Sequence, residues 1–289
     1  MNYLLNILTI IAIYLILSQS LNILVGYTGL LSMSQAAFYG IGAYVSAILM
    51  TVAGVPFFVA LPAAIITAMV LSLLVSVPSL RLKGDYFILT TFAFQLIVFE
   101  ILYNWRSLTG GPDGIKRIPS PAVFGFVIDA PIEYFFFCLI ATGLCFLFIR
   151  IILTSPFGQA LKAIREDEIA AQTLGKNVAK IKIKAFAAAS GLAAVAGVLF
   201  AHYVTYIDPT SFTLPESIFL LSIVLIGGAG NILGPIVGTV VLLLMPEILR
   251  FVGLPETAAP NIRQMIYGAL LVLFMYFRPQ GIAGEYKFR

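Results

Sequence analysis

The residues able to do chemistry are few and scattered. One histidine, His202, stands alone, and the two cysteines, Cys138 and Cys145, lie seven apart, about 10 Å along a helix axis and too far for a disulfide. No HExxH or CxxC pair occurs, no Gly-x-Ser-x-Gly elbow and no GxxxxGK[ST] loop, so nothing builds a metal centre, a nucleophile or a phosphate cradle. Glu100, Glu216 and Glu247 fall near the predicted ends of apolar runs, and Asp208 falls in a short loop. That placement weakens a proton-relay reading, which needs ionisable groups at mid-membrane.

Two polar segments remain. Residues 26–44, GYTGLLSMSQAAFYGIGAY, carry four glycines, three serines or threonines and a glutamine between strongly apolar flanks. In hydrocarbon, small residues let helices approach closely, and hydroxyl or amide groups need partners on other helices or in a wet cavity. Gly26, Gly29, Gly40 and Gly42 therefore permit tight packing or a broken helix, and unwound backbone at that depth must be satisfied by protein or water. Ser32, Ser34 and Gln35 are the candidates for lining a pathway. VGYTGLLS at 25–32 can be laid on IGGAGNIL at 226–233, matching Gly26 with Gly227 and Gly29 with Gly230. Paired glycine-interrupted segments mark the substrate site in many transporters built from repeats; ordinary small-residue packing explains the same pattern.

The second segment, 154–184, is the longest polar stretch inside the chain. Ser155 before Pro156 suits a helix N-terminus and Gly175 suits the position after its end, which predicts one solvent-facing helix of about 19 residues. Ala160, Ala163, Ala170 and Ala171 give it a low-relief surface that another protein can approach.

The elements that must position these segments follow from composition. Of 289 residues, 61% are hydrophobic and 10% charged, against about a quarter charged in soluble domains, and the mean hydropathy is +1.03. Apolar runs at 4–24, 36–53, 56–77, 86–103, 132–153, 185–207, 215–233, 234–250 and 264–277 predict an all-α polytopic membrane protein, a single transmembrane domain over 1–289. About nine spans are expected, with eight to ten open because the second, seventh and last are short and suit broken or re-entrant segments. The first run lacks a basic flank and a small-x-small cleavage site and is read as a span.

Net charge is +4, but the basic residues flank apolar runs and form no stripe for nucleic acid. Lys162, Arg165, Lys176, Lys180, Lys182 and Lys184 place the 154–184 loop in the cytoplasm by the positive-inside rule. With nine spans, Arg81, Lys83, Arg278, Lys287 and Arg289 join them, making eleven basic residues on that side, or twelve with Arg150. Arg106, Lys116, Arg117, Arg250 and Arg263, five in all, fall opposite. The C-terminus is thereby expected inside. The LTGGPDGI segment, 108–115, then lies in an outer loop as a turn-rich structure with several positions fit for positive φ.

SPFGQALKAIREDEIAAQTLG, GYTGLLSMSQAAFYGIGAY, LTGGPDGI and IGGAGNILGPIVG together resemble, in order and spacing, the permease subunits of the branched-chain amino acid branch of ATP-binding-cassette importers. The likeness covers nearly the whole chain, and the SPFG and LTGG elements are similar to one of that branch's two paired permease types. The coupling-loop signature, Glu-Ala-Ala, three residues, then Gly, is matched by Ala170, Ala171 and Gly175; Glu168 sits one place early and the downstream Leu-Pro is missing. The resemblance implies a permease in a bacterial or archaeal inner membrane, paired with a sister permease. Two cytoplasmic ATPase subunits would bind the ATP and dock near Glu168, Ala170, Ala171 and Gly175, and a periplasmic or extracellular binding protein would deliver substrate. It implies no cofactor in this chain and no enzymatic activity of its own. Urea or short amides remain alternative substrates, and an ion-coupled secondary transporter of small neutral solutes is the competing class.

Overall fold

The computed structural model describes residues 2–79, 84–123, 126–250, 265, 268–269, 271–274, 276–277 and 280–283. The basic residues Arg81, Lys83, Arg263, Arg278, Lys287 and Arg289, used above for orientation, lie outside them.

The helices are α1 (Asn2–Thr28), α2 (Gln35–Thr51), α3 (Phe57–Ser79), α4 (Asp85–Asn104), the single turn α5 (Arg106–Thr109), α6 (Pro131–Thr154), α7 (Pro156–Glu166), α8 (Glu168–Thr173), α9 (Val178–Val204), α10 (Leu214–Gly227) and α11 (Leu233–Arg250). The described residues between 265 and 277 are also helical. The strands are two residues each: β1 (Ile115–Lys116) pairs antiparallel with β4 (Tyr206–Ile207), and β2 (Ala122–Val123) with β3 (Phe126–Val127). The fold is thus all-α and polytopic, and α1, α3, α4, α6 and α9 are each long and apolar enough to cross a membrane.

Side-chain size decides the arrangement. The helix α9 packs against α1, α2 and α3, and its Ala185, Ala189, Ala193, Ala194 and Ala196 are fully buried along with Ala36, Ala37, Ala43 and Ala47 of α2. Small residues let these backbones approach closely where lipid supplies no hydrophobic drive between helices. The outer helices reverse the pattern: Ile66 and Leu74 of α3, Leu89 and Ile97 of α4, and Ile140 and Leu144 of α6 point outward, which only an apolar solvent tolerates in such numbers.

Several boundaries depart from the apolar runs for local reasons. The sixth run suggested a start at 185, but α9 begins at Val178 because the Asn177 side chain accepts from the Lys180 amide, 3.1 Å away, so the KIKIK segment forms the helix's first turns. The seventh run suggested continuity to 233, but α10 stops at Gly227, and residues 228–232 are a non-helical joint before α11.

Two helices begin inside the hydrocarbon. At 17 and 14 residues, α2 and α10 measure about 25 and 21 Å, short of the roughly 30 Å core. The unwound segment 29–34 leads back from the end of α1 to α2. Along it the Met33 amide donates to Thr91 Oγ1 of α4 at 3.1 Å, and Gln35 Nε2 donates to Ser20 Oγ of α1 at 2.5 Å. The first turns of α2 and α10 meet: the Ala36 amide donates to Ser217 Oγ at 3.1 Å, and Ser217 Oγ donates to Gln95 Oε1 at 3.3 Å. Gln95 lies at the middle of α4 and spends its amide nitrogen on the Phe212 carbonyl, 2.8 Å away. The start of α10 is therefore at mid-depth, and Glu216 in its first turn is too. Sequence placed Glu216 near a span end; the short α10 corrects that.

At the opposite end of the fold, buried His202 of α9 makes contacts of 2.9 Å with Ser46 Oγ and 2.8 Å with the Pro119 carbonyl, with its ring edge-on to Phe57. It is a helix-contact residue. Replacing it with leucine strands the buried Ser46 hydroxyl, at about 1–3 kcal/mol. The expected result is a lower thermal midpoint for His202→Leu in detergent, read by fluorescence-detected size exclusion; an unchanged midpoint contradicts this placement.

Candidate functional site

The 154–184 segment is not one helix. Asp167 adopts extended backbone (φ −153°, ψ 108°), and its carboxylate accepts from the amides of Ile169 and Ala170 at 2.9 and 3.0 Å, ending α7 and capping α8. Aspartate competes for helix-start amides wherever it can, and this overrode the single helix suggested by Ser155 and Gly175. Ser155 does cap α7, accepting from Gly158 at 3.4 Å.

Nor is the segment wholly solvent-facing. Gly158, Ala160, Leu161 and Ile164 are buried, and α7 packs on α1, α6 and α9. Of the sequence-predicted docking positions, Glu168, Ala170 and Gly175 are exposed and Ala171 is buried. Glu168 pairs with Lys182 at 2.8 Å, tying α8 to α9, and Gly175 turns the chain at φ +75°. Two residues that sequence reasoning passed over stand out: Ile169 and Leu174 are 74% and 78% exposed on this polar loop. Large apolar side chains exposed on a polar loop are the kind of surface that partner proteins cover; the signal was their presence in a run otherwise polar or small. Beside them a cleft of about 670 Å³ lies between the loop and the ends of α1 and α4, with Asp85, Arg165 and Lys182 on its walls.

A hydrogen bond ties the loop to the end of α1. Arg165 Nη1 donates to the Gly26 carbonyl at 2.6 Å, and Lys162 lies 5.8 Å from the Tyr27 ring centroid. Helix α1 ends here because Gly29 adopts φ +71°, with the Leu30 amide returning to the Leu24 carbonyl at 3.1 Å, the left-handed stop that glycine supplies. A Cβ on Gly26 would collide with the Gly230 amide nitrogen. The end of α1 and the joint between α10 and α11 are thus in backbone contact.

Polar side chains of α1 satisfy that joint. Asn22 Oδ1 accepts from the Gly230 amide at 3.1 Å, Asn22 Nδ2 donates to the Asn231 carbonyl at 2.7 Å, and Gln19 Nε2 donates to the Ile232 carbonyl at 2.5 Å. Asn231 accepts from Gly234 at 2.6 Å at the start of α11 and donates to the Ala283 carbonyl. The amides of Ile282 and Ala283 close on the Ile226 and Gly227 carbonyls at 2.8 and 2.9 Å. Residues 280–283 therefore lie on the same side of the fold as the 154–184 loop.

Of the pathway candidates, Gly26, Gly227 and Gly230 come together at this joint. Ser32 and Ser34 lie in the unwound segment and Gln35 opens α2, each at most 1% exposed, with the two serine hydroxyls 2.9 Å apart. Gly29 faces the aliphatic part of Arg165. The aligned pair Gly29 and Gly230 share positive φ, 71° and 93°. Asn22, Gln19 and Gln95 were missed because single amides inside apolar runs give no motif. In LTGGPDGI, Gly110, Gly111 and Gly114 all take positive φ. Among the described residues no group of three or more His, Cys, Asp or Glu side chains is placed to hold a metal.

The sequence profile described as the permease component of the branched-chain amino acid transport system matches residues 3–275. The chain belongs to this permease family. It is 35% identical over 300 residues to the high-affinity branched-chain amino acid transport system permease protein LivM of Escherichia coli K12, covering 96% of this chain and 69% of that one. Similarity to the probable branched-chain amino acid transport permease protein LivM of Methanocaldococcus jannaschii is 31% over 237 residues, or 77% and 68% of the two chains. The ribose import permease protein RbsC of Haemophilus influenzae is 23% identical over 225 residues, 75% of this chain and 67% of its own. No solved structure matches the chain.

For this permease, Arg165→Met removes the donor to the Gly26 carbonyl and is expected to cost about 1–3 kcal/mol locally. The loop then detaches more often, so limited proteolysis at Lys162 and Lys176 accelerates while cleavage elsewhere does not. Equal cleavage rates in the variant and the parent contradict the attachment.

Proposed function

We propose that this chain is one of two permease subunits of an ATP-driven importer that carries branched-chain or other neutral amino acids by alternating access. The substrate class rests on family membership and on the names its relatives bear. The mechanism rests chiefly on the hydrogen bond from the loop to the end of α1, Arg165 to Gly26. In this reading the 154–184 side is cytoplasmic, in accord with its excess of lysine and arginine, and the C-terminus lies there too. Two ATPase subunits bind ATP and seat on Ile169, Ala170, Leu174 and Gly175, with Glu168 braced by Lys182. A binding protein delivers substrate opposite, and a sister permease completes the pathway within a prokaryotic inner membrane.

Closure of the ATPases would push α7 and α8. Since α7 holds the end of α1, and α1 contacts the joint at Gly230, the push would reach the two broken helices together. Backbone joints with two packings switch, whereas packed cores do not bend continuously. Gly26, Gly29, Gly227 and Gly230 would be the moving contact, with Ser32, Ser34 and Gln35 presented to the pathway as it opens.

The test is reconstitution of the chain with its sister permease, ATPases and binding protein in liposomes. Leucine uptake is expected to require ATP inside and to persist when proton and sodium gradients are dissipated; collapse under those conditions points to an ion-coupled carrier. In the same vesicles Gly175→Leu, which forces a side chain into left-handed backbone, is expected to cut uptake about tenfold or more while the chain stays in the membrane. Undiminished uptake removes the docking assignment.

A further inference from the structure

Glu216 is a carboxylate at the wrong depth for a structural residue. Its Oε1 accepts from Tyr14 Oη at 2.6 Å. Tyr14 stands twelve residues after Asn2 and fourteen before Thr28 in a helix that spans the membrane, about 18 and 21 Å from its two ends. The contact of neighbouring Ser217 with Gln95, ten residues into α4, gives the same depth. A carboxylate there is costly unless it is paired or faces water.

The chain provides part of what that charge needs. The first turn of α10 contributes roughly half a positive charge, and Tyr14 contributes one hydrogen bond. No cation joins them: among the described residues the ion pairs are Arg165–Glu166 and Lys182–Glu168, both on the polar loop. Glu216 is also only partly buried, so its remaining surface opens to something outside this chain. Lipid tails cannot be that neighbour. Nearby, the Tyr39 hydroxyl is buried with no hydrogen-bond partner among the described residues, and its ring lies 5.1 Å from Phe212, just ahead of α10. The meeting point of the two half-helices therefore holds an unneutralised carboxylate and an unused hydroxyl at mid-membrane.

We infer that Glu216 receives the ammonium group of the amino acid in transit, with Tyr14 holding the carboxylate in register. The assignment rests on the amino acid importer reading and adds the intramembrane contact to it. A zwitterion brings its own cation, and an ammonium near a desolvated carboxylate forms a charge-assisted bond that water no longer screens. The pathway then passes along the side of α1 and α10 on which Tyr14 and Glu216 meet. Urea and short amides, lacking an ammonium, gain nothing from the site.

The assembled importer in liposomes tests this with Glu216→Gln. Leucine uptake is expected to fall about tenfold or more relative to the parent, while the complex keeps its size on gel filtration and its ATPase rate stays within about twofold. A complex that falls apart makes Glu216 a contact to the sister permease, and uptake equal to the parent makes it idle; either overturns the assignment. A second measurement needs no variant: dicyclohexylcarbodiimide, which enters the bilayer, is expected to label Glu216 in the parent importer, and saturating leucine with loaded binding protein and ATP to slow the labelling. Labelling indifferent to leucine in an importer that transports leucine overturns the assignment as well. A parent importer that moves no amino acid under ATP refutes the proposed function directly, and this assignment with it; one that moves leucine leaves the Glu216 comparison to stand alone.

Discussion

Hydrocarbon offers no partner to a peptide group, so every carbonyl and amide exposed by a broken helix must be paired by the protein. This chain breaks helices at 29–34 and at 228–232, and much of its unusual composition answers that requirement. Asn22 and Gln19 lie on α1 because the joint after α10 needs an acceptor and two donors. Gln95 lies on α4 because the turn before α10 leaves the Phe212 carbonyl open. Thr91 and Ser20 serve the segment leading into α2. Glycine appears where side chains cannot fit between two backbones, as Gly26 does against Gly230. The breaks cost partners, and the partners fix where α1, α4, α10 and α11 stand.

The same constraint links the two ends of the machine. The 154–184 loop hydrogen-bonds a carbonyl at the end of α1, at the residue whose backbone meets the α10–α11 joint. The remaining α7 contacts are apolar or, as with Lys162 over Tyr27, weak. The end of α1 meets the joint through hydrogen bonds and a glycine contact. In contrast, α9 is held by close-packed alanines.

The crossings were legible in the sequence because twenty-residue apolar runs have few other uses in a chain, and the opening patch was legible because small polar residues in hydrocarbon require explanation. Helix breaks were less so. Asp167 splits the loop helix through a capping preference that a pattern from Ser155 to Gly175 hides, and the apolar run 215–233 conceals a stop at Gly227 because the joint is itself apolar and small. Glu216 was misplaced for the same reason: counting residues along a run measures depth only when the run is one full-length helix. The polar partners on α1 and α4 were invisible, since a lone amide shows its purpose only beside the carbonyl it serves.

Asn22 and the carbonyl of Asn231 that it holds are separated by 209 residues. Nine further helices, α2 to α10, lie between α1 and the joint, so Gln19 and Asn22 are made long before the carbonyls they serve. The Asn231 side chain then waits in turn for Ala283. A chain stalled before α10 would leave Gln19 and Asn22 with their 3.4 Å contact to each other in place of the joint, where lipid offers no substitute.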